Sequence, residues 1–263
     1  VSNSEDLLYT ADGHIAHIAF NRPDTLNAID EDMHVELLEA LTRARTDADI
    51  RVILLSAAGR AFSAGGDLNE LVHLHEDAHK RERMCDVGVR LIETLIDSPV
   101  PIVAALQGDA IGLGASVALS ADIIVASRTA RLADTHVKVG LVAGDGGCLV
   151  WPMSMGLNRA KRYLLTGKML PAEKACEFGL ITDLVDEPEE ALPAARAIAE
   201  EIAALAPMAV SGTKKALNKL SKARANEAFI PSMAYEQLSI TSTDVLEAVA
   251  SFREKRRPRY TGG

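Results

Sequence analysis

Residues 99–127 read PVPIVAALQGDAIGLGASVALSADIIVAS, and they constrain the fold more than any other part of the chain. Ile102–Leu106 is an apolar run of strand length between proline punctuation and Gly108, the pattern of a buried strand. Gly108, Gly112 and Gly114 then make a turn that lets backbone come close to another group. Small apolar residues from Ala115 to Ala121 follow at helix length, and Asp122 opens a further strand. A glycine turn feeding a helix leaves N–H groups unpaired at the helix start, where the dipole also favours negative charge. Such a place suits an anion, an oxyanion formed during reaction, or plain strand–turn–helix packing. Pro99, Pro101, Asp109 and Asp122 interrupt the stretch within the length a membrane-spanning helix needs. Val117 stands where a dinucleotide fingerprint needs its third glycine, and no Gly-Lys-Ser/Thr completes a P-loop.

The rest of the chain fits around this stretch as an α/β protein. Tyr9–Phe20 alternates about Asp12-Gly13, a hairpin signal. Asp30 is placed to cap a helix reaching about Asp47, with Met33, Leu37, Leu38 and Leu41 on one face. Val52–Ser56 reads as a short buried strand, and residues 57–68 hold a second glycine turn leading into a helix, with Asp67 as its cap. Residues 73–97 are charged and helical, and their three histidines, His73, His75 and His79, read as a solvated face. Helices are expected at 158–166 and 171–177, a strand over 179–186, and helices at 190–206, 208–222 and 226–252. Strands alternating with helices, then helices alone, predict a parallel-rich α/β core with a helical C-terminal extension. At 263 residues the chain suits one large domain, or one with a small appendage. A net charge of -9 argues against nucleic-acid or anionic-membrane partners. Cys85, Cys148 and Cys176 are odd in number and widely spaced, so neither a disulfide framework nor a metal site is expected. The N-terminal segment shows no basic region ahead of an apolar core, which predicts no signal peptide and a cytoplasmic location.

Several ordered motifs then point to one family. They are NRPDTLNA at 21–28, AFSAGGDL at 61–68, QGDAIGLGASVALSADI at 107–123, GLVAGDGG at 140–147 and RYLLTG at 162–167. Residues 175–185 and 252–258 continue the series. With these motifs almost the whole chain resembles the crotonase superfamily, the enoyl-CoA hydratase/isomerase group. The resemblance implies a spiral of ββα turns over residues 1–200. It also implies a helical region at 201–263 that covers substrate and builds a homotrimer or a dimer of trimers. The implied partner is an acyl-CoA thioester, with coenzyme A as part of the substrate and no separate cofactor. The thioester carbonyl would sit in an oxyanion hole made by the backbone N–H groups of Gly66 and Leu113. Ala64, Gly65, Asp67, Leu68, Gly112, Gly114 and Lys255 would line the substrate site. Lys255, Arg256 and Arg257 are either phosphate contacts for coenzyme A or a solvated basic end.

The family's two catalytic glutamates fall on Ser116 and His136 in this chain. A serine hydroxyl is no general base near neutral pH without an activator. An imidazole can pass protons in both directions there. Asp145, nine residues on in a glycine turn, would orient the His136 ring and favour its charged form. The spacing is similar to that of the β-diketone hydrolase branch of the superfamily, typified by 6-oxocamphor hydrolase. Three readings follow: acyl-CoA hydratase or isomerase chemistry with His136 and Asp145 in place of the glutamates, hydrolysis of a β-diketone carbon–carbon bond by the same pair, or a non-catalytic acyl-CoA-binding member. A structural role for His136 and a helix-capping role for Asp145 are the bland alternatives, and Asp134 reads as a solvated loop acid.

Overall fold

The computed structural model describes residues 5–263, so the first four residues of the N-terminal segment lie outside it. Strands β1 (Leu7–Asp12) and β2 (Ile15–Phe20) form the expected antiparallel hairpin. Helix α1 (Glu31–Thr46) follows, with the Asp30 carboxylate accepting the Met33 N–H at 3.0 Å as its cap. Then a strand–strand–helix unit repeats. The first copy is β3 (Val52–Ala57), β4 (Ala61–Ser63) and α2 (Glu70–Glu76), extended by α3 (Ala78–Ile96). The second is β5 (Ile102–Leu106), β6 (Asp109–Ile111) and α4 (Leu113–Leu119). The third is β7 (Ile123–Ser127), β8 (Arg131–Ala133) and α5 (Gly147–Met155). After α6 (Leu157–Leu164) come the short β9 (Leu170–Pro171), α7 (Ala172–Glu177) and β10 (Asp183–Val185). The chain then runs through α8 (Ala191–Ala203), α9 (Pro207–Arg224), α10 (Ile230–Ile240) and α11 (Thr243–Arg253).

Each repeat sends its first strand to one sheet and its second to another. The larger sheet has the order β1-β2-β3-β5-β7-β10, parallel apart from the hairpin, and the smaller has the order β4-β6-β8-β9. The larger sheet is covered on both faces, which explains why β3 and β5 are unbroken apolar runs. Val52, Leu54 and Val103 face α8, whose Ala191, Ala195, Ala199 and Ala203 form a flat stripe that lets the helix lie close. Ile53, Leu55 and Ile102 face the other way, into the main core with α1 and α3. Helix α9 is pinned beside this core by Lys214, which is buried and donates to the Val100 carbonyl at 3.0 Å and to Asp122.

The α/β core and helical C-terminal part agree with expectation, and four local readings need correction. The charged segment at 73–97 is two helices, because Asp77 ends α2 and accepts the His79 and Lys80 N–H groups to start α3. Of its histidines, His75 is held by the Ile240 carbonyl at 2.9 Å rather than left to solvent. The strand read over 179–186 is reduced to Asp183–Val185, because the Gly179 and Leu180 N–H groups close α7 instead. The long helix read over 226–252 begins as a π-turn at Ala225–Phe229 and breaks again where Ser242 caps α11, accepting the Asp244 N–H at 3.1 Å.

One contact joins the two glycine turns. Gly65 lies at φ 89°, and a Cβ there would stand 2.6 Å from the Ile111 carbonyl oxygen and 3.5 Å from Leu113 N. Neighbouring Gly66 has open space around the same position. Gly65→Ala is therefore expected to cost about 1–3 kcal/mol in urea denaturation. Gly66→Ala should stay within about 0.5 kcal/mol of the parent, as substitutions away from such strain do.

Candidate active site

The repeat brings the two glycine turns side by side. Ile29 forms a single parallel bridge with Gly66, donating to the Gly65 carbonyl at 2.8 Å while its own carbonyl accepts the Asp67 N–H at 3.2 Å. That pattern uses the groups on either side of Gly66 and leaves the Gly66 N–H without an acceptor among the described residues. Leu113 is the first residue of α4, where an N–H has no intrahelical acceptor. Both residues line the same two adjoining cavities. The second turn starts a helix at once, as expected, whereas the first does not. Asp67 is not the cap of α2, because its carboxylate turns back onto Asn69 (2.8 Å to the backbone N–H) and the helix begins only at Glu70.

His136 stands beside this neck, buried on a 3₁₀ turn at His136–Lys138. Its Nδ1 meets Asp134 Oδ1 at 2.8 Å and its Nε2 meets Asp145 Oδ2 at 3.0 Å. The Ser116 hydroxyl, one turn into α4, donates to the other Asp145 oxygen at 3.0 Å. Asp145 does not cap α5, whose N-cap is Gly146 without any side-chain cap. The run of glycines around it has a steric cause, since a Cβ on Gly147 would fall 2.1 Å from Asp134 Oδ2. Asp134 is fully buried rather than solvated, so it is Asp134 that orients the ring through Nδ1, while Asp145 faces the inner cavity across Nε2. The three ligand-type atoms lie within 4.8 Å of one another. The two ring nitrogens diverge, however, and each is already bonded to a different carboxylate, so one cation cannot take all three groups in this arrangement.

Burial alone would drive the His136 ring neutral, but Asp145 and Asp134 outweigh it and hold the His136 pKa well above the ordinary value. Burial alone would also raise Asp145, and there His136 and the Ser116 hydrogen bond reverse the sign, leaving it below the usual carboxylate range. The resting pair is thus an imidazolium against a carboxylate. One member can give a proton and the other can take one.

The inner cavity, about 110 Å³, is framed by Ile29, Leu71, Leu74, Met84, Met233 and Ile240, with Asp145 and His136 in its wall. The outer one, about 420 Å³, contains Ala64, Gly65, Leu68 and Gly112, and its polar lining includes Lys138 and Arg256. Of the residues singled out in the sequence, Gly66, Leu113 and His136 line both cavities, and Asp67 and Asp145 line the inner one. Gly114 is packed against Ser63, and Ser116 is enclosed behind Asp145. Lys255 is exposed and outside both linings, whereas its neighbour Arg256 is inside the outer one, bound to Glu247 (Nη2–Oε2 2.8 Å). Two further groups escaped the sequence reading. His34 on α1 and Glu236 on α10 are both buried and both line the inner cavity. A helical signal pointed to each: His34 shares its face with Leu37, Leu38 and Leu41, and Glu236 lies between Met233 and Ile240. Burial lowers the His34 pKa, and burial together with the Asp145 charge pushes Glu236 up to about 8.

A family model described as enoyl-CoA hydratase/isomerase matches residues 10–263. The chain belongs to the enoyl-CoA hydratase/isomerase family. It is 32% identical over 265 residues to 1,2-epoxyphenylacetyl-CoA isomerase of Escherichia coli K12, covering 98% of this chain and 99% of that protein. It is 33% identical to (E)-benzylidenesuccinyl-CoA hydratase of Thauera aromatica, covering 95% and 96% respectively. A crystal structure of an enoyl-CoA hydratase/isomerase from Mycobacterium paratuberculosis superposes with a TM-score of 0.89 at 36% identity, over 95% of this chain and 100% of that one. This likeness agrees with the crotonase-type spiral. Among the described residues no helix is long and apolar enough to cross a membrane.

The signs of these shifts fix a stability profile in pH. Glu236 binds its proton more tightly folded than unfolded, so its contribution is full below the unfolded pKa and is lost as pH rises toward about 8. His136, also raised, loses its contribution above neutrality, and Asp145, lowered, loses its own in acid. Glu236→Gln should therefore flatten the fall in Tm between pH 5 and 9 while leaving the acid limb in place. Parallel Tm profiles for the two proteins on the alkaline side would contradict this assignment.

Proposed function

We propose that this protein moves protons next to the carbonyl of an acyl-CoA thioester, as a hydratase or isomerase, with Asp145 and His136 doing the work of two glutamates. The observation that carries this reading is the meeting of two unpaired backbone donors with an ionised acid–base pair where the two cavities join. The thioester oxygen fits between the Gly66 and Leu113 N–H groups, the acyl group enters the inner cavity, and the coenzyme arm leaves by the outer one past Lys138 and Arg256. As the carbonyl becomes an enolate, its oxygen gains negative charge beside donors already in place, worth about 10²–10³ in rate for each donor. Asp145, held ionised, accepts the proton from water or from carbon. His136, oriented by Asp134, returns a proton to carbon through Nε2. Ser116 holds the free oxygen of Asp145 and takes no proton itself. The coenzyme A thioesters named for the two relatives support the same substrate class.

A second reading is hydrolysis of a β-dicarbonyl carbon–carbon bond. It is favoured by one observation, a pair of buried polar groups, His34 and Glu236, in the wall of the inner cavity beside the oxyanion donors. One assay separates the two: a short 2-enoyl-CoA and a cyclic β-diketone, each with the parent protein, His136→Ala and Asp145→Asn. The thioester alone should react, with kcat lower by about 10²–10⁴ in either variant, the usual scale of general acid–base catalysis. Turnover of the diketone alone would replace the first reading with the second.

A further inference from the structure

The inner cavity is apolar apart from a few groups, and most of these already have partners. Asp30 is bonded to Arg22, and Asp67 to Asn69. Glu31 and Glu70 both meet Lys80, at 3.3 and 2.6 Å. His34 and Glu236 differ. Each is more than nine-tenths buried, and neither has a side-chain partner among the described residues: His34 Nδ1 and Glu236 Oε2 are enclosed against backbone, the one beside Asp30 and the other beside Gly144, with no hydrogen bond of good geometry. A buried polar atom left without a partner costs about 1–3 kcal/mol. The other polar atom of each, His34 Nε2 and Glu236 Oε1, is not enclosed in this way and has no hydrogen bond among the described residues, so two helices turn two free polar atoms to one cavity, where a bound molecule can meet both.

We propose that His34 and Glu236 form a second polar contact for the acyl group, and that the preferred thioester carries a neutral oxygen, a ketone or hydroxyl, on its acyl chain beyond the thioester carbonyl. This rests on the acyl-thioester reading above. The chemistry of the two groups limits the ligand. Glu236 keeps its proton at neutral pH and so offers an O–H donor, since its pKa is about 8. A neutral His34 ring offers one N–H and one lone pair. A ketone oxygen can accept from both, and a hydroxyl can accept from one and donate to the other. An acyl carboxylate is excluded by charge, because Asp134 and Asp145 already outnumber the single imidazolium of His136 in this wall. A plain alkenyl chain would fill the apolar frame and leave both polar groups unsatisfied.

Calorimetry with unreactive saturated thioesters tests this apart from turnover. The ligands are hexanoyl-CoA and its 4-oxo, 5-oxo and 5-hydroxy forms, measured with the parent protein, Glu236→Gln, Glu236→Leu and His34→Phe. At least one oxo or hydroxy ester should bind the parent about tenfold more tightly than hexanoyl-CoA, the scale of one good hydrogen bond. That ratio should collapse toward one in Glu236→Leu and His34→Phe and survive in Glu236→Gln, which still has a donor. Equal affinity of all four esters for the parent, or a ratio unchanged in Glu236→Leu, would overturn the proposal. A clear oxo or hydroxy preference without turnover of any 2-enoyl-CoA would remove the catalytic reading and leave this contact standing. Failure of every ester to bind would remove both.

Discussion

The site depends on one close approach of backbone to backbone. Gly65 lies against the Ile111 carbonyl with no room for a side chain, and that contact holds the first glycine turn beside the start of α4. Sheet pairing alone would not place them so exactly side by side: β4 and β6 are three-residue strands whose register shifts between Ala61 and Ser63. Once the turns meet, the Gly66 and Leu113 N–H groups are left over by the hydrogen-bonding pattern itself. The donors are thus a consequence of how the chain turns and not of which side chains it carries. Leucine at 113 leaves its N–H in place while adding apolar wall to both cavities.

The charged part of the site is built in the opposite way, from side chains that must be held against the cost of burial. Two carboxylates and one imidazolium occupy a largely buried corner, and each is tolerable only because the others are present. Asp134 and Asp145 keep His136 charged, His136 keeps Asp145 ionised, and Ser116 takes the oxygen of Asp145 that His136 does not reach. A fourth ionised group in the same wall would unbalance the set. Glu236 stays protonated for that reason as well as for its burial.

Much of the fold was legible in the sequence because its determinants are local. Asp12-Gly13 makes a hairpin, Asp30 caps a helix, and the apolar runs at 52–56 and 102–106 become strands of a covered sheet. The segments that misled were those where one residue redirects the local hydrogen bonds, Asp77 and Ser242 by capping new helices with their side chains and Gly179 by closing an old one with its backbone N–H. In the site, the glycine turns and the H-x8-D spacing could be read along the chain, and the structure brings those residues together. Asp134, His34 and Glu236 could not be read in the same way. Spacing makes Asp134 a loop acid, and only the packing of Gly147 against it shows that it is enclosed. His34 and Glu236 sit on apolar faces of helices two hundred residues apart, and they become one feature only when α1 and α10 close on the same cavity.

On the proposed reading, the contrast between the two halves of the site accounts for a proton-moving arrangement without the two glutamates that the family resemblance implies. A donor pair made of backbone does not register a change at 116 or 136. The acid–base pair does, since serine at 116 removes a charge from α4. In this chain the carboxylate of that corner is Asp145, on the loop, and Ser116 donates the hydrogen bond that steadies it. In the proposed mechanism the proton-accepting atom thus stands on the loop and not on the helix, while the oxyanion position stays with the backbone. Because that loop also touches α10 through Gly144 and Ser232, the acid–base pair and the wall that holds Glu236 are set by the same contact. The two proposed roles, proton transfer and acyl preference, therefore rest on shared packing, and a change on α10 that moves the loop is expected to alter both together.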